Sequence, residues 1–282
     1  MAWNKIDLVL FFLKKGLFLG WLEILAQQCL IVTMATMAIQ PLGPVMIQFA
    51  SVQFVMGDNH GRADEQPEHR VELAPFSMAT YPVVNEQYEV FLTQTNHEPP
   101  RLWGQPPFDC PQTPVCGVSW HDAVAYADWL SKAVGKCYHL PTEAQREYAS
   151  RGGHGGCRFP WGDDPLGHEG FYAPGLNGEL TGQPIRMGDP RAVGPNDFGL
   201  FHMVDNVHEW CADYYDAGYY VVSPPVNPQG PSRDGGRRSA RGGSWRHHVK
   251  YSRCSARSSL APDKQFMDFG FRLASSDQFR YT

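Results

Sequence analysis

The sequence lacks the features that define several common functional classes. Its seven cysteines, at positions 29, 110, 116, 137, 157, 211 and 254, include no Cys-x-x-Cys pair. No zinc ribbon or dithiol redox motif is offered, and an odd number at wide spacings gives no disulfide framework. Reduced thiols are expected, although Cys110 and Cys116 are close enough in sequence to close a small loop in an oxidising compartment. Positive charge is also short. A formal net charge of −5 removes the electrostatic footprint that nucleic-acid binding requires, and the basic stretch 233–241 reads as a solvated turn. There is no uninterrupted apolar run of the roughly twenty residues that a spanning helix needs.

The nearest approach to such a run is residues 1–40, an apolar N-terminal extension. Apolar stretches at 8–13, 17–22 and 24–37 are broken by Lys5, Asp7, Lys14, Lys15 and Glu23. A signal peptide would place its basic residues ahead of a single apolar run and end at a small-residue cleavage site, for which residues 35–38 are a poor match. An amphipathic or partly disordered extension is the favoured reading, with Met34 and Met37 as alternative starts. Membrane association through 1–40 is the rival. A cytoplasmic location follows from the missing signal pattern and missing disulfide pairs, with membrane-associated or exported forms as alternatives.

What the chain does have is turn chemistry and aromatic bulk. Its 28 glycines, 23 prolines and 13% aromatic content imply many turns around an aromatic core rather than long regular elements. A single irregular α+β domain over 41–276 is expected, followed by a tail at 277–282. Alternation of apolar residues predicts strands at 45–49, 52–56 and 70–76. Asn85 reads as the cap of a helix burying Tyr88, Phe91 and Leu92, and the proline-rich 96–112 reads as an extended loop. Ser119 with Asp122, and Thr142 with Gln145, are spaced as capping boxes for two more helices, the second stopped by Gly152 and Gly153. Trp120, Trp129, Tyr148, Trp161, Trp210, Trp245 and Phe271 are the expected core, and 269–273 reads as a core strand.

Residues 241–273, RGGSWRHHVKYSRCSARSSLAPDKQFMDFGFRL, are framed by Gly242, Gly243, Trp245 and Phe271 and filled by His, Arg, Ser and Lys without period. That pattern predicts an anchored surface loop, the usual seat of binding and catalytic groups.

The landmarks, read in order, are FVMG at 54–57, EHRV at 68–71, YPVVNEQY at 81–88 and PVCGVSWHDAVAYADW at 114–129. LPTEAQREYASRGG at 140–153, PWG at 160–162, NDFGLFHMVDNVHEW at 196–210, RGGSW at 241–245 and GFR at 270–272 complete the series. Together they resemble the formylglycine-generating enzyme, or sulfatase-modifying factor, family across 44–275. The resemblance implies a compact fold of low regular secondary structure related to the C-type lectin fold. Family members range from copper-dependent oxidases that convert a sulfatase cysteine to formylglycine, through sulfoxide-synthase domains and siderophore-maturation proteins, to display domains with diversified ligand-binding loops, so fold alone does not assign function.

The copper enzymes hold Cu(I) through two cysteines between the Gly-Gly-Ser motif and the Arg-Cys-x-Ala-Arg motif, as a soft ion demands. This chain has none there, and copper-dependent formylglycine formation is not expected. His247 and His248 could hold a harder metal, but neighbours on an extended segment point to opposite sides, which favours two imidazoles flanking a ligand groove. The resemblance also implies a structural calcium on Asn206 and Glu209, with backbone oxygens around Val207 and Cys211; the alternative is that Asn206 caps a turn and Glu209 pairs with an arginine. A second calcium site would begin near Ala173, where Pro174 removes an amide ligand. Cys254 matches a family cysteine whose partner position is here Ser150, and the other family pair falls on Ala127 and Leu273, so both bridges are absent. Arg257 and Arg272 are either loop-bridging cations or substrate clamps. Arg146 stands where the family has tryptophan and is expected to repolarise a helix face, toward a partner. The resulting expectation is a module that binds a peptide or protein ligand, not nucleic acid, through Trp245, Arg246, His247, His248, Tyr251, Arg257, Phe266 and Asp268 on the loop 245–269. The alternative is an oxidative protein- or metabolite-modifying enzyme.

Overall fold

The computed structural model describes residues 43–164, 194–232, 235–247, 251–277 and 279–281, which lie in one compact unit, Pro41–Thr282. Two antiparallel pairs open the described residues, one nested inside the other in sequence. Strand β1 (Met46–Phe49) runs antiparallel to β4 (Phe76–Ala79), and β2 (Val52–Met56) to β3 (His69–Leu73). The predicted strand at 70–76 is thus two elements. Pro75 has no N–H to give a ladder, so the pairing passes to a new partner after Leu73.

Helix α1 (Asn85–Thr95) has its cap one residue earlier than the sequence signal suggests. Val84 occupies the cap position, with its backbone N–H on Gln87 Oε1 at 3.1 Å. Asn85 instead donates from Nδ2 to the carbonyls of Phe108 and Cys110 at 2.6 and 2.9 Å, pinning the proline-rich loop. Helix α2 (Trp120–Val134) carries the expected box: Asp122 N donates to Ser119 Oγ at 3.1 Å and Ser119 N to Asp122 Oδ2 at 2.8 Å. Its apolar stripe, Trp120, Ala123, Tyr126, Ala127 and Leu130, is buried against Tyr88, Phe91 and Phe271, and Gly135 closes it in the left-handed region. Helix α3 (Glu143–Ser150) is capped reciprocally by Thr142 and Gln145.

Strand β5 (Tyr138–His139) joins β1, β4 and β10 (Ala274–Ser275) in the order β1-β4-β10-β5. The sheet that positions the functional loop is ordered β8-β7-β6-β9, from β6 (His208–Tyr214), β7 (Arg238–Arg241), β8 (Arg257–Leu260) and β9 (Phe269–Gly270). The core strand expected at 269–273 is therefore split. Phe269 and Gly270 pair in parallel with His208 and Glu209, and Ala274 and Ser275 join the other sheet. This crossing ties the two sheets together.

The expected core divides by depth. Trp210 and Phe271 are fully buried, Trp120 and Trp245 nearly so, and Trp129, Tyr148 and Trp161 are half-buried at its edges. Buried indoles find acceptors: Trp210 Nε1 donates to Val118 O at 2.9 Å and Trp120 Nε1 to Cys211 O at 2.8 Å. Of the residues after 276, Phe279 and Tyr281 pack on the domain. Phe279 stacks on His139 with ring centroids 3.7 Å apart, and Leu140 N donates to Tyr281 Oη at 3.0 Å.

Helix α3 buries charge rather than exposing it. Glu143 accepts from Arg257 Nε at 2.7 Å and Arg241 Nε at 3.1 Å, and Glu147 from Arg151 Nη2 at 2.7 Å. Arg146 does not repolarise an exposed face: it is 1% exposed, and its Nε donates to Glu209 at 2.7 Å. Among the described residues no helix is long and apolar enough to cross a membrane.

Candidate functional site

Strand β7 delivers the chain into the functional loop at Arg241, anchored by Glu143, Glu147 and Tyr220. The turn that follows requires glycine twice. Gly242 has φ +84°, and a Cβ on Gly243 would collide with Ser252 Oγ and Val204 O. Ser244 and Trp245 are then locked in place. Trp245 N donates to Asn206 O at 2.8 Å, and the ring packs with Phe108, Cys116 and Val207. Ser244 Oγ donates to Asp268 Oδ2 at 2.8 Å, and Asp268 O accepts from His208 N at 2.8 Å. The two ends of the loop, and strand β6 beneath it, are thereby fixed on one another.

That arrangement brings three chemically able side chains together: His208, His247 and Asp268, whose ligand atoms all lie within 4.8 Å of one another. His208 Nε2 and His247 Nδ1 are 2.9 Å apart. Burial pushes the His208 imidazole down to about 4, overriding the pull of Asp268, and burial likewise lowers His247. Both rings are neutral at pH 7. His208 is not among the residues singled out from the sequence, which takes 206–211 as one ligand set. Strand alternation is the available signal: His208 and Trp210 share the face against Phe269, each with ring centroids 5.0 Å from it, while Glu209 points to the opposite side.

Around the cluster the rings run in series. Tyr251 lies 6.2 Å from His247, His247 4.8 Å from His208, His208 5.0 Å from Phe269 and Phe269 6.4 Å from Phe266, centroid to centroid. The two ends of this series face solvent, Tyr251 and Phe266 each at 49% exposure, with Met267 at 39%. Arg246 is exposed beside them, its Nη1 3.6 Å from Asp268 Oδ1. Trp245 is the buried anchor of this face. His248 lies outside the described residues, as do Ala173 and Pro174.

Arg257 does not belong to this face. It is buried in β8, with both nitrogens Nε and Nη2 on Glu143 at 2.7 and 3.0 Å. Arg272 is likewise internal, donating to Glu209 from Nε at 2.6 Å and from Nη2 at 2.8 Å. Glu209 therefore has its charge matched by two guanidiniums; burial alone would raise its pKa, but Arg146 and Arg272 outweigh it and hold the carboxylate below its usual range. A calcium ion on Glu209 would have to share those oxygens. The backbone oxygens of Asn206 and Cys211 serve Trp245 and Trp120, and the Val207 side chain is buried.

The thiol inventory does not fit a dithiolate copper centre. No cysteine stands between Ser244 and Cys254. Cys254 is buried with its thiol pushed up to about 11 by that burial, and its Sγ lies 3.5 Å from Ser150 O, where a disulfide partner would sit. Burial raises Cys116 and Cys211 as well.

A small mixed domain with few helices, whose Gly-Gly-Ser turn presents a long anchored loop over a central strand, defines the class of protein. The family described as "Sulfatase-modifying factor enzyme 1-like domain" matches residues 34–277, and the chain belongs to it. It is 34% identical over 284 residues to the formylglycine-generating enzyme of Streptomyces coelicolor, covering 79% of this chain and 86% of that protein. Among solved structures, PvdO from Pseudomonas aeruginosa superposes with a TM-score of 0.70 at 28% identity, covering 83% of this chain and 94% of that one. Treponema denticola variable protein 1 shares the fold, with a TM-score of 0.71 at 23% identity over 82% of this chain and 94% of that one.

Proposed function

We propose that this sulfatase-modifying-factor domain is a recognition module that captures an extended peptide or a protein segment on the face of the loop 245–269. The observation that carries this is the exposure of Tyr251, Phe266, Met267 and Arg246 on a rigid, cross-pinned frame. Aromatic residues, methionine and arginine are the types enriched where interfaces hold their binding energy. A pre-anchored loop loses little entropy on binding. The missing thiolate pair weighs in the same direction, because the copper oxidation chemistry of the family's enzymes has no ligands here.

The test is selection of a random peptide library on the full chain, followed by measurement on Tyr251→Ala, Phe266→Ala and the double variant. These side chains are half in solvent, so the fold survives their loss. Selected peptides are expected to lose tenfold or more in affinity, about 1.4 kcal/mol. No enrichment, or equal binding to the double variant, would sink the reading.

The imidazole pair beside Asp268, with His208 buried and His247 half-buried, favours a second reading, an oxidative modifying enzyme whose metal is held by nitrogen instead of sulfur. Oxygen consumption with a cysteine-containing peptide separates the two. Membrane association through residues 1–40 belongs to either reading, and fractionating cells that express the full chain or a form starting at Met37 tests it.

A further inference from the structure

The geometry points to a divalent transition-metal site built from His208 Nε2, His247 Nδ1 and Asp268 Oδ1. This site does not depend on the recognition reading and deepens the second, nitrogen-ligated one, on whose donor residues it rests. Two imidazole nitrogens and one carboxylate, drawn from β6, the Gly-Gly-Ser loop and the residue preceding β9, form the donor set of borderline first-row ions with open coordination positions. They suit neither the soft Cu(I) ion nor all-oxygen calcium.

The separation of the two nitrogens is informative. At metal–nitrogen distances of about 2.0–2.1 Å, ligand atoms 2.9 Å apart subtend about 90° at the metal. That matches the angle between adjacent positions of an octahedron, a geometry open to Fe(II) and Co(II). In the metal-free protein one N–H lies between these rings; on binding, that proton moves to the far nitrogen of its own ring. For His208 the far nitrogen is Nδ1, which is buried beside the Gly242 backbone. Ligating histidines commonly direct their second N–H to such a backbone group.

The carboxylate is held for the same purpose. Ser244 Oγ occupies Oδ2 at 2.8 Å and leaves Oδ1 with only the long contact to Arg246, 3.6 Å.

The experiment uses the full chain without an affinity tag, stripped with chelator and dialysed against Co(II), and against Fe(II) under argon. One equivalent of metal per chain is expected, with a six-coordinate Co(II) spectrum and a rise in melting temperature from mass action. His247→Gln should weaken binding by more than the roughly 10–100-fold that loss of an outer-shell partner costs. Asp268→Asn should do the same, Ser244→Ala should fall within that range, and His154→Gln, a histidine paired with Asp197 elsewhere, should bind as the parent does. Because Asp268 is buried, the melting temperature of each metal-free variant is compared with the parent, and the half-buried His247→Gln variant decides the question if Asp268→Asn does not fold. Absence of a stoichiometric site, or an equivalent retained at parental affinity by His247→Gln, overturns the assignment. Either of those results leaves the peptide-selection test of the recognition reading standing.

Discussion

Removing Glu209 and removing Arg146 should have unequal costs, and the difference follows from charge counting in the core. Glu209 and Arg272 are 0% exposed and Arg146 1%. Glu209 accepts from Arg146 Nε at 2.7 Å and from Arg272 Nε and Nη2 at 2.6 and 2.8 Å. Glu209→Gln leaves two guanidiniums without their counter-charge and turns an amide NH₂ toward a donor. Breaking a buried pair in this way costs about 3–5 kcal/mol, and the donor conflict places the variant at the upper end. Arg146→Met leaves Glu209 paired with Arg272, so the cluster becomes neutral rather than unbalanced. What it loses is one hydrogen bond to Glu209 and one to Met203 O, 2.8 Å, about 1–3 kcal/mol for the acceptors left behind. In the double variant the orphaned Arg146 charge is absent, so its destabilisation should fall short of the sum of the singles by about 1 kcal/mol or more. Urea unfolding at pH 7, with unchanged m-values as the check on a common unfolded state, measures all three. If Arg146→Met equals or exceeds Glu209→Gln, or the double variant is additive, the charge-counting argument is wrong. The same pair sets an acid limit. The Glu209 pKa is depressed in the folded protein, so its stabilisation is present above the unfolded carboxylate range and is lost as pH falls from there through the depressed folded value.

Asp213 should act in the opposite sense. Burial and the neighbouring Glu143 carboxylate push it up to about 8, so the folded state retains a proton and stability falls as pH rises from the unfolded value toward 8, by up to about 1.4 kcal/mol per pH unit. Asp213→Asn keeps an acceptor for Glu143 N, 2.8 Å away in the parent, and should flatten the urea midpoint between about pH 6.5 and 8; an unchanged slope would contradict the assignment. Gly243→Ala forces a Cβ onto Ser252 Oγ and Val204 O, and a loss of about 1–3 kcal/mol is expected from overpacking, read as a lower melting temperature. Calcium should leave the melting temperature unchanged relative to chelator, because the Glu209 oxygens are held by arginines; a calcium-dependent rise abolished in Asn206→Ala would show instead that the 206–211 turn takes the ion.

Local signals are legible where the physics is local. The boxes at Ser119/Asp122 and Thr142/Gln145 depend on residues three apart, and both are formed. The strands at 46–49 and 52–56 follow from alternation. The Gly-Gly-Ser frame is readable because two adjacent glycines ahead of a tryptophan have few other uses. Asn85 misleads because it is a capping residue type beside a capping position, while its amide is needed to hold Phe108 and Cys110.

The sheet that builds the site is not legible, and the reason is its composition. Strands β7 and β8, with sequences RSAR and RSSL, have no apolar alternation. They exist because Arg238, Arg241 and Arg257 are buried in them, and Arg241 and Arg257 meet Glu143 from α3. A reading that assigns arginine to the surface, the usual place for it, makes such segments loops and makes Arg257 a ligand clamp. It makes Arg146 a polar helix face by the same reasoning. Three carboxylates of α3 and β6, Glu143, Glu147 and Glu209, are held by arginines distant in sequence. This pairing needs the tertiary fold before it can be seen. The same carboxylates fix β7, which leads into Gly242, and β6, which carries His208, and so determine where His247 and Asp268 meet. The candidate site is thus legible in its residues but not in its assembly, because the force that assembles it is long-range pairing of buried charge rather than apolar periodicity.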